Sequence, residues 1–305
     1  MLPEPLPSGA RIALVAPARA ITMAEVEPAI RTISGWGWEV VLGETIGAKH
    51  FQFAGDDALR RRDLQQALDR NDLHAVLFAR GGYGTARIVD DLDWSQFRKR
   101  PKWLCGYSDL TVLHAHVFQS LDVATLHSVM AVDWLRVSTE SLESLRNVLC
   151  GTSLSYRLPP HECNRLGTAQ GMVCGGNLSV LYSLLGSRSF PDTTGTILLL
   201  EDVDEHLYHV DRMMLALRRA GALDRLAGLV VGHFTDMHNK DPQNPFGESA
   251  YEIVRRHVVA YGYPLCFGFP AGHEAGNVAV IMGHWARLEV SEGGVCFSQS
   301  LAPAL

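Results

Sequence analysis

Short apolar stretches separated by amphipathic helical segments fill the first half of the chain, and that alternation leaves few folds open. Arg11 to Ala16, Ala75 to Ala79 and Trp103 to Gly106 read as buried strands, and Trp38 to Leu42 is apolar again. Between them, Glu25 to Gly35 has helical spacing, and Asp56 to Arg70 is a charged helix with Leu59, Leu64, Ala67 and Leu68 on one face. Strands separated by helices of this length form βαβ units and a parallel sheet. In such sheets, ligands sit beyond the carboxyl ends of the strands. Two of those ends are unusual, because Ala79 runs into Arg80-Gly-Gly-Tyr-Gly84 and Gly106 into Tyr107-Ser108-Asp109.

At 305 residues the chain is about twice the usual domain length, so two domains are expected. Residues 1–150 form the α/β unit in this reading. From Cys150 to about Gly167 the pattern lapses around Gly151, Pro159 and Pro160, and 151–167 reads as a linker. Residues 168–305 then show strand-like runs at Thr196 to Leu200, Leu229 to Gly232, Val278 to Met282, Leu288 to Val290 and Val295 to Phe297. Together with a helix at Tyr208 to Ala220, ended by Gly221, they predict a smaller α+β or barrel-like second domain.

Composition excludes several functions. With 47% hydrophobic and 20% charged residues, the chain has the makings of packed cores rather than of a disordered segment. A net charge of -6 provides no broad basic field, so nucleic acid is not an expected partner. No apolar run approaches the roughly 18 residues of a membrane helix. Arg11 to Ala18 mimics a short signal sequence, with Ala18-Arg19-Ala20 as a cleavage site. Glu4 and the prolines at 3, 5 and 7 argue against it. The six cysteines are scattered without C-x-x-C spacing, which is the expectation for reduced thiols in the cytoplasm.

Arg80-Gly-Gly-Tyr-Gly-Thr-Ala-Arg87 is either a tight strand-to-helix turn or a backbone that closely approaches a ligand. A dinucleotide fingerprint would need Gly where Arg87 stands, and no Gly-Lys-Ser/Thr is present, so the nucleotide reading fails. Ser108 either exposes its hydroxyl on a sharp turn or caps the helical run Val112 to Phe118. The familiar nucleophile elbow has Gly two residues after the Ser, where this chain has Leu110. Glu201, Asp202, Asp204 and Glu205 follow a buried strand, as a metal site, a triad acid or a solvated strand exit. Among the 13 histidines, His114 and His116 read as surface or core residues, and His127 could line the cleft. His206 and His209 are a conceivable metal pair without spaced completing ligands. His273 lies in Gly272-His-Glu-Ala-Gly-Asn277, a glycine-flanked loop that could reach a partner domain. The order Ser108, Glu201, His273 is that of a Ser–acid–His relay.

The same residues resemble serine LD-carboxypeptidases (muramoyltetrapeptide carboxypeptidases, peptidase family S66) over almost the whole chain. The resemblance rests on Val15-Ala-Pro17, Arg80-Gly-Gly-Tyr-Gly84 with Arg87, Lys102 with Gly106-Tyr-Ser-Asp-Leu-Thr111, and Gly175-Gly-Asn-Leu178. Leu200-Glu-Asp-Val203 with Tyr208 and Asp211-Arg-Met213, and Gly272-His273, complete it. It implies a Rossmann-like N-terminal domain, a smaller β-rich C-terminal domain, and a cleft between them, commonly in a homodimer. It implies Ser108 as nucleophile, His273 as general base, Glu201 as its orienting acid, and an oxyanion hole from the backbone N–H groups of Gly82 and Asp109. The implied reaction removes the terminal D-alanine from a murein tetrapeptide, free or linked to sugar or nucleotide, without metal or cofactor. The family often has Gly-Pro after the histidine at position 127; Ser128-Val129 stands here, in a strip expected to border the cleft. A microcin C-type self-immunity hydrolase of the same family, a non-catalytic muropeptide-binding protein and a metallohydrolase are the alternative readings.

Overall fold

The computed structural model describes residues 1–301. Its first half runs β1 (Arg11–Val15), α1 (Met23–Gly35), β2 (Glu39–Leu42), α2 (Asp57–Asp69), β3 (Ala75–Phe78), α3 (Ser95–Lys99), β4 (Trp103–Gly106), α4 (Thr111–Leu121), β5 (Thr125–His127) and α5 (Thr139–Leu149). There follow β6 (Leu154–Leu158), β7 (Gly167–Asn177), α6 (Leu178–Ser183), β8 (Ile197–Val203), α7 (Leu207–Arg219) and β9 (Gly228–Thr235). The chain closes with α8 (Ala250–Val258), β10 (Leu265–Phe267), β11 (Val280–Met282), β12 (Trp285–Ser291) and β13 (Gly294–Gln299).

β1 is apolar at nearly every position because both of its faces are covered. Ile12 and Leu14 pack with Val26, Ala29 and Ile33 of α1, whereas Ala13 and Val15 pack with Leu64, Ala67 and Leu68 of α2. Full burial of each larger side chain contributes about 1.5–3 kcal/mol. Both helices start at built caps: Thr22 and Glu25 form a reciprocal capping box, and the Asp56 side chain accepts from the Leu59 N–H.

Strands β1 to β5 are mutually parallel, in the order β5-β4-β3-β1-β2. The order reverses at β1, which pairs with β2 on one side and β3 on the other. A crevice opens at such a reversal, beyond the carboxyl ends of the strands. The second sheet has the order β10-β9-β8-β7-β12-β13-β6, parallel from β7 to β10 and antiparallel beyond. Leu198 and Leu200 of β8 face α7 and α8, while Ile197 and Leu199 face the opposite core beside β12 and β13.

Two features depart from the sequence reading. The stretch 151–167 is more than a linker, because it contains β6, which pairs antiparallel with β13. Leu154, Tyr156 and Leu158 alternate toward the core there, a period of two. The run Val278 to Met282 does not join the second sheet. As β11 it adds to the edge of the first sheet, antiparallel to β5, with Val280 opposite His127. Val280 packs in a core of the second sheet and Ile281 in a core of the first, so this strand ties the two together.

Candidate active site

β4 ends at Gly106, where an added Cβ would lie 3.2 Å from both Leu110 Cγ and Phe78 Cδ2. The turn therefore packs closely onto Leu110, the residue that replaces the familiar glycine. Ser108 follows with φ +62°, a left-handed conformation that costs a residue with a side chain roughly 1–2 kcal/mol. It does not cap the helix: no side-chain cap bond starts the Ser108–Leu110 turn or α4, and a cap would need extended backbone. Its half-buried hydroxyl side chain lines a cleft with Arg19, Arg80, Gly82, Tyr107 and His273.

The Arg80 to Gly84 loop crosses directly over this turn. A Cβ on Gly81 would meet Ser108 Oγ at 3.3 Å and the Asp109 nitrogen at 3.4 Å, and a Cβ on Gly82 would strike the Arg19 side chain. Gly82 has φ +104°, so the backbone there requires glycine. The Asp109 side chain points away from the cleft, buried, and accepts from the Thr85 N–H at 2.9 Å, which ties the loop to the turn. Burial raises the pKa of this carboxyl, against the hydrogen bonds from Thr85 and the charge of Arg60.

The other wall comes from the second half of the chain. His273 Nδ1 donates to Glu201 Oε2 at 2.9 Å. Glu201 is fully buried at a bulge, where Gly232 and His233 of β9 together oppose this single residue of β8. Gly272, at φ +127°, leaves room for the carboxylate, since a Cβ there would approach Glu201 Oε2 to 3.0 Å. Burial disfavours a charged His273, but the charge and hydrogen bond of Glu201, helped by Asp133 and Asp202, more than offset this and raise its pKa. Burial likewise opposes ionisation of Glu201, and the His273 charge and hydrogen bond still hold its pKa below the ordinary value. The Tyr107 ring lies 4.8 Å from the His273 ring and walls it in.

The structure thus brings Ser108, Gly82 and His273 to one cleft, with Glu201 behind the histidine and the backbone of Asp109 beside the serine. His127 does not line the cleft: it is fully buried, with Nε2 3.0 Å from Asn277 Oδ1, which also accepts from the Gly272 N–H. Ser128 and Val129 do not border it either. Both are fully buried, and the lining begins at Met130. His114 bonds to the Gly106 carbonyl and Thr125 in the core, and His116 stacks on Trp94. His206 stacks on Tyr208 and His209 pairs with Glu205 at 2.6 Å. Among the described residues, no three His, Cys, Asp or Glu side chains are grouped to hold a metal ion.

Two supports escaped the sequence reading. Arg60, fully buried, donates to the carbonyls of Pro17 and Gly84 and so clamps the loops after β1 and β3. Its signal was spacing: Arg60, Leu64 and Leu68 share the buried face of α2. Asn177 caps α6, donates from Nδ2 to Asp202 Oδ1 at 2.9 Å, and through its N–H reaches Thr111 Oγ1 on α4 at 2.9 Å. Asp202 is buried beside Glu201, which pushes its carboxyl up to about 7. Thr111, Asn177 and Asp202 stand in stretches that carry the family resemblance, but no pattern announces that they meet, because they are up to 91 residues apart (111 to 202).

A serine held strained on a strand–turn–helix, sharing a cleft with a histidine–carboxylate pair at the carboxyl edge of a parallel sheet, is the arrangement of a serine hydrolase. Residues 12–128 match the LD-carboxypeptidase N-terminal domain and residues 170–288 the LD-carboxypeptidase C-terminal domain. The chain is 33% identical to the probable murein peptide carboxypeptidase of Bacillus subtilis over 298 residues, covering 95% of this chain and 92% of that one. It is 32% identical to the murein tetrapeptide carboxypeptidase of Pseudomonas aeruginosa, over 93% of this chain and 94% of that one. The crystal structure of muramoyltetrapeptide carboxypeptidase from Oxalobacter formigenes superposes with a TM-score of 0.87 at 28% identity, covering 97% of this chain and 100% of that one. The chain belongs to the LD-carboxypeptidase family, and it is a serine-type carboxypeptidase.

Proposed function

We propose that this enzyme hydrolyses the bond between the L-centre of the third residue and the terminal D-alanine of murein tetrapeptides. The observation that carries the reading is Ser108, held at φ +62° in the cleft that His273, bonded to Glu201, enters from the other side. The names of the relatives in Bacillus subtilis and Pseudomonas aeruginosa supply the substrate class.

In this mechanism His273 Nε2 takes the proton of Ser108 Oγ as the oxygen attacks the scissile carbonyl carbon. Glu201 fixes the tautomer, with the proton on Nδ1, and stabilises the imidazolium that forms. The backbone N–H groups of Gly82 and Asp109 stabilise the oxyanion. His273 then returns its proton to the departing D-alanine nitrogen, leaving the shortened peptide as an ester on Ser108. Water, deprotonated by His273, attacks that ester; its collapse frees the tripeptide carboxylate and restores the Ser108 proton. We further propose that the enzyme works as a homodimer in the cytoplasm, recycling peptidoglycan fragments. The free thiols of its cysteines suit that compartment.

Mass spectrometry of purified protein with a tetrapeptide and with its D,D-linked pentapeptide relative tests the assignment. D-Alanine released from the tetrapeptide alone is the expected result. Release from the pentapeptide alone, or hydrolysis of an aminoacyl sulfamoyl nucleotide with the tetrapeptide untouched, overturns it.

A further inference from the structure

A carboxypeptidase must distinguish a chain end from an internal residue, and the mark of a chain end is its carboxylate. Resting on the function proposed above, we propose that Arg19 is the residue that binds the terminal carboxylate of the substrate. That carboxylate is three bonds from the scissile carbonyl carbon, so it lies within about 4 Å of the reacting centre. Its partner must therefore stand beside Ser108 and the Gly81–Gly82 backbone.

Arg19 meets that requirement. It follows β1, lines the same cleft as Ser108, and lies against Gly82, where an added Cβ would be 2.5 Å from its Cδ and 3.0 Å from its Nε. Its own N–H donates to the Gly81 carbonyl at 3.3 Å, which fixes the base of the side chain on the glycine loop. The side chain is exposed to the cleft. The other cations there are engaged: Arg80 reaches Glu25 at 3.4 Å and the Ala20 carbonyl at 3.2 Å, and His273 reaches Glu201. Arg19 forms no ion pair among the described residues, although its charge acts on the buried Asp109 carboxyl. Asp133 and Asp204 line the cleft as well, so a carboxylate entering it is repelled from them and drawn to the guanidinium. A guanidinium can also hold a carboxylate through two parallel hydrogen bonds, which orients the departing residue as well as attracting it.

The test pairs the tetrapeptide with its C-terminal amide, which keeps the shape and removes the charge. Wild-type protein is expected to favour the acid over the amide by about 100-fold in kcat/KM, and Arg19→Gln to lose that preference by slowing the acid alone. Arg19→Lys should recover part of it. Arg80→Gln, by loosening the loop, should slow acid and amide alike. Binding of both peptides to Ser108→Ala, with and without Arg19→Gln, gives a readout that needs no turnover: the acid is expected to bind at least tenfold tighter only when Arg19 is present. If Arg19→Gln lowers acid and amide equally, or if Ser108→Ala binds them equally, Arg19 is not the anchor. Acid-selective binding with no hydrolysis by wild type would leave Arg19 as the anchor and overturn the proposed reaction instead.

Discussion

In the proposed relay His273 must be neutral to accept the serine proton, and its surroundings favour the opposite state. Glu201 lies 2.9 Å away, and Asp133 and Asp202 add negative potential, so its pKa stands above the ordinary value of 6.5 despite burial. The protonated form is the inactive one, and activity is lost as pH falls through that raised pKa. The expected profile of kcat/KM is therefore a rise with pH through a group titrating above 6.5. Glu201→Gln should lower both the plateau and the apparent pKa, because it removes the charge that holds the proton. A profile flat from about pH 5 to 8, with chemistry rate-limiting, would contradict the role of His273. Ser108 and His273 were legible in the sequence as candidates, since each sits in a glycine-bearing turn beside an apolar run. Ser108 still had two readings there, nucleophile or cap. The positive φ removes the cap, and it is a property of the folded turn rather than of the residue types.

At the level of elements, the cleft depends on loops that are locked from behind. The loop after β1 and the glycine loop after β3 are both fastened by Arg60, which projects from the buried face of α2. Its removal leaves the carbonyls of Pro17 and Gly84 without their donor and an empty slot in the core. Arg60→Met should then cost about 3 kcal/mol of stability. It should also lower kcat more than it raises KM, because the glycine loop would lose its fixed position over Ser108. Urea unfolding and steady-state kinetics check this; an unchanged midpoint with unchanged kinetics would show that the loops hold themselves. In the sequence Arg60 stands in the run Arg60-Arg61-Arg62, which looks like a solvated face. Only its register with Leu64 and Leu68 sets it apart. The strand β6 was hidden in a similar way. The alternation from Leu154 to Leu158 was present, but Gly151 and the two following prolines spoke for a connector.

The whole molecule explains how the proposed nucleophile comes from one half of the chain and its proposed base from the other. β11 crosses to pair with β5 on the first sheet, and the loop just before it carries His273 over the cleft. An apolar run such as Val278 to Met282 announces a strand, whereas its partner is chosen by packing across about 150 residues of chain, from His127 to Val280. The cleft between the halves was thus an expectation of the family resemblance rather than of pattern. The central claim is that Ser108, His273 and Glu201 act as one unit across this cleft, and a double-mutant cycle measures that directly. With D-alanine release from the tetrapeptide as the readout, and folding checked by circular dichroism, Ser108→Ala should lower kcat by about 10⁴-fold or more. Adding His273→Ala should cost less than about threefold further, because a base has no function without the hydroxyl it deprotonates. If the two losses instead multiply, or if Ser108→Ala keeps more than about a tenth of the turnover while a chelator abolishes it in the wild type, the serine relay is wrong.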